Sequence, residues 1–182
     1  MPKIELRYPA FLLLYTLLWL LLRAAVWLRQ GRIDRARELA LLPMYLYLAV
    51  VWRFVMFPLF PENGRIAPLV FDPAALRPVR LNLVPVVHIL RFATRRDMLL
   101  NLLGNVALFL PAGALFPALY PKLDRFRKVL CAGMGLSLFI ELAQLPFAAR
   151  GTDVDDLLLN TLGTALGCGL FALIRRIRRQ GR

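Results

Sequence analysis

The sequence is poor in the residues that build most soluble active sites. It has one histidine, His88, and two cysteines, Cys131 and Cys168. A lone interfacial histidine is a weak candidate for a metal ligand. The cysteines sit in separate apolar segments without CxxC spacing, so they read as small buried apolar residues rather than a disulfide or metal pair. No Ser-His-Asp order, phosphate-binding glycine loop or zinc spacing is present, and Ser137 is an unconvincing nucleophile. Repeats and low-complexity tracts are missing. Acidic residues are scarce, 11 against 24 Lys and Arg, which gives a net charge of +13. In a soluble chain that surplus suggests nucleic acid, but nothing here resembles a folded nucleic-acid reader.

Apolar residues are abundant. They make up 59% of 182 residues, with a mean hydropathy of +0.61, and they fall in long runs rather than in amphipathic periods. Runs of about 18 or more are the mark of membrane-crossing helices. The expected fold is therefore all-α, a polytopic membrane helical bundle of about five transmembrane helices, with no separate soluble domain. The spans are placed at about Ala10–Leu28, Leu39–Phe60, Asp97–Leu119, Val129–Pro146 and Asp156–Ile174. This divides the chain into a first helix and basic loop (1–38), a transmembrane domain (39–174) and a basic tail (175–182). The start, with Lys3 and Arg7 before an apolar run, resembles a signal peptide. The run continues to about Leu28 and no clean small-x-small cleavage site follows, because Arg23 and Trp27 intervene, so a retained helix is expected. Arg23, near the end of the first span, can snorkel, and Pro111 with Gly113 is expected to kink the third span. Residues 61–96 hold five prolines and read as irregular interfacial backbone, with a re-entrant or amphipathic piece near Leu81–Phe92.

The basic residues suggest an orientation. The 29–38 and 120–128 loops and the 175–182 tail carry thirteen Lys and Arg in 27 residues, against nine in 54 on the other side. The dense side is expected to be cytoplasmic, against anionic lipid, with the N-terminus outside. Lys3, Arg7 and the arginines of the long loop argue weakly the other way.

This arrangement gathers polar residues at one depth. The stretch ELAQLPFAARGTDVDDLLLNTLGTALG, from Glu141 to Gly167, carries Glu141, Gln144, Arg150, Asp153, Asp155, Asp156 and Asn160 near one boundary. Asn105 in the third span and Arg53 in the second fall at a similar depth, within roughly 12 Å of the boundary at 1.5 Å rise per residue. Such groups are where function is sought in a membrane protein. A carboxylate at Glu141 must be paired, hydrogen-bonded or protonated, and burial favours its protonated form, which suits a general acid or base. Arg53 or Arg150 can pair with it. The plainer alternative is an interhelical contact. Thr152 or Asp153 can cap the fifth span, and Asp155 and Asp156 suit its positive end. The same three aspartates, Asp153, Asp155 and Asp156, can hold Mg²⁺ or Ca²⁺ with waters, and Arg150 can grip a phosphate or carboxylate as a two-donor fork. Asn101 reads as an interhelical hydrogen bond. Asn105 and Asn160 can orient the carboxylates or a head group. Gly104, Gly163 and Gly167 are expected to let helices approach closely.

The motifs as a set resemble the VanZ-like family. They are Asn82-Leu-Val-Pro85, Asn101-Leu-Leu-Gly-Asn105 leading to Phe109-Leu-Pro111-Ala-Gly113, Glu141-Leu-Ala-Gln144, and Arg150 followed by Asp153-Val-Asp155-Asp156 to Asn160-Thr-Leu-Gly163. Their order and spacing carry the likeness over about residues 40–174. Val86-Val87 departs from it, since an aromatic often follows this proline in the family. The resemblance implies a small bacterial multi-pass membrane protein, and the family's namesake is associated with low-level resistance to the glycopeptide teicoplanin. It implies no settled reaction.

Two functions follow. In the first, a polar site at the outer face binds or acts on a lipid-linked cell-envelope molecule or a lipophilic glycopeptide. Glu141, Asp153, Asp155 and Asp156 would be the reactive carboxylates, and Arg150, Gln144, Asn105, Asn160, Arg53 and Asn82 would contact the ligand. In the second, the protein is a non-catalytic envelope-integrity or scaffold protein whose polar cluster locks the helices. Membrane lipids are partners in both. A transporter is disfavoured, because five spans without an inverted repeat leave little for alternating access.

Overall fold

The fold is that of a computed structural model, which describes residues 3–59, 64–75, 81–82, 84–85, 94–147 and 152–181. Among these the chain is overwhelmingly helical, as its apolar runs require. In hydrocarbon only a helix or a closed barrel satisfies every backbone polar group. The helices are α1 (Tyr8–Gln30), α2 (Arg35–Met56), α3 (Arg95–Leu119), α4 (Phe126–Gln144) and α5 (Val154–Gln180). Short strands β1 (Ile4–Leu6), β2 (Leu69–Phe71), β3 (Leu81–Asn82) and β4 (Thr152–Asp153) lie between and before them.

Four helices, α1, α2, α3 and α5, are long and apolar enough to cross a membrane. α4 is the shortest of the five at 19 residues, and it carries Arg127 and Lys128 at one end and Glu141 near the other. Its charge, rather than its place in the fold, separates it from the others. The helix starts follow local chemistry. Asp34 caps α2 by accepting the Arg37 amide at 3.1 Å. Thr94 caps α3 by accepting the Asp97 amide at 3.1 Å, while its hydroxyl donates to the Asp97 carboxylate at 2.7 Å. Gly31 ends α1 at φ 65°, a left-handed turn that favours glycine.

The chain forms two compact units. Unit 1 comprises Met1–Arg77 with Pro146–Arg150, and unit 2 comprises Pro78–Leu145 with Gly151–Arg182. In unit 1, α1 and α2 form a hairpin. Arg23 has a partner within the hairpin. Its Nε donates to Glu38 Oε2 at 2.9 Å, and Trp27 Nε1 donates to Glu38 Oε1 at 2.9 Å. The pair satisfies the guanidinium inside the hairpin. At the other end, β1 pairs antiparallel with β2, Ile4 opposite Phe71 and Leu6 opposite Leu69. The strands cover a small core of Met56, Phe57 and Leu69, with Tyr8 and Phe11 edge-on to Phe57 at 5.3 and 5.4 Å. Lys3 closes this clasp onto Asp72 at 3.2 Å. The Ala74 amide and Lys3 together hold the Asp72 carboxyl below its ordinary range.

In unit 2, α3, α4 and α5 pack together, and α3 against α5 is the most extensive contact. A Cβ added at Gly163 or Gly167 would fall under 3.0 Å from the Val106 or Leu110 carbonyl oxygen, and one added at Gly113 would meet the Thr164 carbonyl. Gly163 meets Val106 and Gly167 meets Leu110, four residues on in both helices, so α3 and α5 run in the same direction. Gly113 therefore serves packing. It lies within a continuous helix that includes Pro111 and Pro117. Gly104 does not contribute, since a Cβ there would meet nothing within 4 Å. The expected piece near Leu81–Phe92 lies largely outside the described residues.

Gly167→Leu should drive a side chain into the α3 backbone and cost about 1–3 kcal/mol, or roughly 2–4 °C in midpoint per kcal/mol. Gly104→Leu should leave the midpoint unchanged. Thermal unfolding of both variants in detergent checks this, and equal midpoints would remove the glycine seam as the basis of the packing.

Candidate functional site

One end of unit 2 collects the polar side chains. The α4 face with Ser137, Ile140, Glu141 and Gln144 is buried, and separations of three (137/140, 141/144) and four (137/141, 140/144) are those of one helical stripe. α5 turns Asp155, Asn160, Gly163, Thr164 and Gly167 inward. Because α4 ends where α5 begins, Glu141 and Gln144 meet the start of α5.

Asp153 is the centre of this end. It is the N-cap of α5, and its Oδ1 accepts the Asp155 amide at 3.0 Å and the Asn82 side-chain amide at 3.0 Å. Its own backbone N–H donates to Glu141 Oε2 at 3.0 Å. The parallel pairing of β3 with β4, Leu81 opposite Thr152 and Asn82 opposite Asp153, places that asparagine. Asn105 Nδ2 donates to Asp156 Oδ1 at 2.6 Å, and Asn160 Nδ2 donates to Ser137 Oγ at 2.9 Å. These bonds join α3 to α5 and α4 to α5.

Burial makes the cluster costly. Glu141 and Asp155 are each 3% exposed and Asp153 is 7% exposed. A carboxylate deep in a bilayer costs about 2.5–3.5 kcal/mol even on insertion scales. Backbone amides and asparagine donors offset part of this. The carbonyl oxygen of the Asn160 side chain is buried and has no hydrogen-bond partner among the described residues.

Of the residues expected from sequence, Glu141, Gln144, Asp153, Asp155, Asp156, Asn82, Asn105 and Asn160 all lie in unit 2. Arg53 belongs to unit 1. There its Nη1 donates to the Pro58 carbonyl at 2.9 Å, and its guanidinium lies over the Tyr8 and Phe54 rings at 5.6 and 5.7 Å. That set accounts for the arginine without Glu141. Arg150 and His88 lie outside the described residues. Asn101 makes no hydrogen bond among the described residues. Ser137, set aside as a nucleophile, is fully buried and serves as the acceptor for Asn160. Its position one turn before Glu141 was the available signal.

Asp153, Asp155 and Asp156, expected from sequence as Mg²⁺ or Ca²⁺ ligands with waters, point in different directions. Among the described residues, no group of three or more His, Cys, Asp or Glu side chains is placed to hold a metal ion. Successive positions on a helix diverge by about 100°, so Asp155 turns inward while Asp156 turns to Asn105. Asp153 points back to cap the helix.

The sequence profile of the VanZ/LLP1 family matches residues 44–175. Protein VanZ of Enterococcus faecium is 36% identical over 76 residues, which is 40% of this chain and 45% of that protein. The match thus spans less than half of that relative's length. No solved structure matches significantly.

Asp153→Ala should lower stability by about 0.5–2 kcal/mol through loss of the cap. Asp153→Asn keeps a cap acceptor and should lose much less. Chemical or thermal unfolding of the two variants measures the difference, and equal losses would show that the cap is not what this side chain supplies.

Proposed function

This chain belongs to the VanZ/LLP1 family, and we propose that it binds the polar head of an amphiphile at the carboxylate end of unit 2. The ligand class is a lipid-linked cell-envelope molecule or a lipophilic glycopeptide. Such heads are rich in hydroxyl, amide and amine donors, which carboxylates and amide carbonyls accept. The proposed site faces the outer leaflet, with the C-terminus cytoplasmic, because the 29–38, 120–128 and 175–182 segments carry the denser positive charge.

The observation that carries this reading is the burial of Glu141, Asp153 and Asp155 together. A lock between helices needs donors and acceptors, and neutral amides provide them at lower cost than three acids. The unmatched Asn160 carbonyl adds a buried acceptor without a partner among the described residues. In this reading Glu141 exchanges a proton with the ligand or accepts its hydrogen bond. Asn105 and Asn160 hold the surrounding geometry.

A second reading has a specific observation in its favour. Asp153 caps α5, and the Asn105–Asp156 and Asn160–Ser137 bonds tie helices together. A pure lock would give the protein an envelope-integrity or scaffold role.

Glu141→Gln separates the two readings. If a ligand site is present, the variant keeps its unfolding midpoint within about 1 kcal/mol, the net worth of an ordinary hydrogen bond. It also loses retention of envelope lipid or lipophilic glycopeptide in native mass spectrometry, and Asp155→Asn behaves likewise. Equal retention by wild type and both variants, with stability falling instead, would leave the lock.

A further inference from the structure

The opposite end of unit 2 holds a second feature, unrelated to the carboxylates. A cavity of about 830 Å³ opens between the end of α3, the start of α4 and the end of α5. That volume lies within the range of small-molecule sites. Its chemistry is graded. Deeper in the bundle it is walled by Val129, Cys168 and Phe171, and toward the chain end by Arg175, Arg176 and Arg179. Positions 168, 171, 172, 175, 176 and 179 recur at helical spacing, so one face of α5 passes from apolar to cationic over roughly 16 Å.

The positive charge there is not neutralised locally. Arg125 adds a fourth guanidinium to the lining, and none of the four forms an ion pair among the described residues. The one lining carboxylate, Asp124, is taken by Lys128 at 2.7 Å, and its carboxyl is held low by that contact. α4 starts beside the cavity with no side-chain cap and no acid in its first turn, so the positive end of its dipole is also unopposed. One wall is left low by Gly169, where a Cβ would meet nothing within 4 Å.

We propose that this cavity is a binding site for one anionic phospholipid, its phosphate held by Arg175, Arg176 and Arg179 and the start of its acyl chains lying against Val129, Cys168 and Phe171. Guanidinium forks suit phosphate oxygens. The apolar-to-cationic gradient along α5 matches a lipid's own gradient from chain to head group, which a soluble phosphate lacks. The occupant is therefore an anionic lipid of the leaflet that meets this end, distinct from the amphiphile assigned to the carboxylate end.

The test is native mass spectrometry of the purified full-length protein with added phosphatidylglycerol or phosphatidylcholine. Wild type should retain phosphatidylglycerol over phosphatidylcholine by roughly tenfold or more, since each basic residue near an anionic surface contributes severalfold. R175Q/R176Q/R179Q should abolish the preference. Gly169→Leu, which keeps every charge and fills open space, should lower retention of phosphatidylglycerol. R29Q/R32Q/R35Q removes as much charge from the other basic loop and should leave retention at the wild-type level. Wild-type retention by Gly169→Leu would overturn the proposal. So would an equal loss in R29Q/R32Q/R35Q, which would mean diffuse attraction. Displacement of the lipid by glycerol 3-phosphate would assign the cavity to free phosphates and also overturn it.

Discussion

The close approach of α3 to α5 is the constraint on which unit 2 depends. In a bilayer the lipid tails are as apolar as leucine, so burying leucines drives little association between helices. Contact must come from van der Waals packing, polar bonds and weak Cα–H···O contacts. Gly163 and Gly167 remove side chains where the α3 carbonyls lie, and Gly113 does the same for the α5 backbone. Many leucines of these helices, including Leu103, Leu158 and Leu162, remain turned outward, as lipid-facing residues should. The inner seam is made of small residues instead.

That seam fixes what the polar end can do. With α3 and α5 at backbone distance, Asn105 reaches Asp156, while Asn160 ties α5 to Ser137 of α4. Asp153 then sits where a strand pairing, a helix cap and the Glu141 carboxylate converge. Each polar group there serves packing, and in the ligand-site reading the same groups also serve binding. For this reason the ligand-site and lock readings share residues and differ only in whether stability or retention responds to their replacement.

Unit 2 is thus polarised along its length. Carboxylates and amides occupy one end, and guanidiniums line a cavity at the other. A single continuous α5 carries both, with Asp155 and Asp156 in its first turn and Arg178 and Arg179 in its last. This is also the direction the helix dipole favours. Acids at the start and bases at the end stabilise the helix in their own right, so helix electrostatics and the segregation of charge along the unit agree.

The all-α membrane class and the approximate helices were legible because hydrocarbon-spanning runs have a length and composition that few other structures need. The facing of Ser137, Glu141 and Gln144 was legible from 3.6-residue periodicity, and Asp153 as a cap from residue type and position. Other features depended on contacts between distant segments. Asn82 meets Asp153 across 71 positions, and no local pattern encodes such a pairing. Arg23 turns to Glu38, and Arg53 to the rings of Tyr8 and Phe54, because a long flexible side chain takes whichever partner the fold brings near. The three aspartates looked like a ligand set in sequence, but the start of a helix sends neighbouring side chains in different directions. The sequence by itself determined which residues could not remain in lipid without a partner. The tertiary structure alone decided which partner each received, because that choice depends on the distance between helices, and the helix-to-helix distance is set where glycine lets two backbones touch.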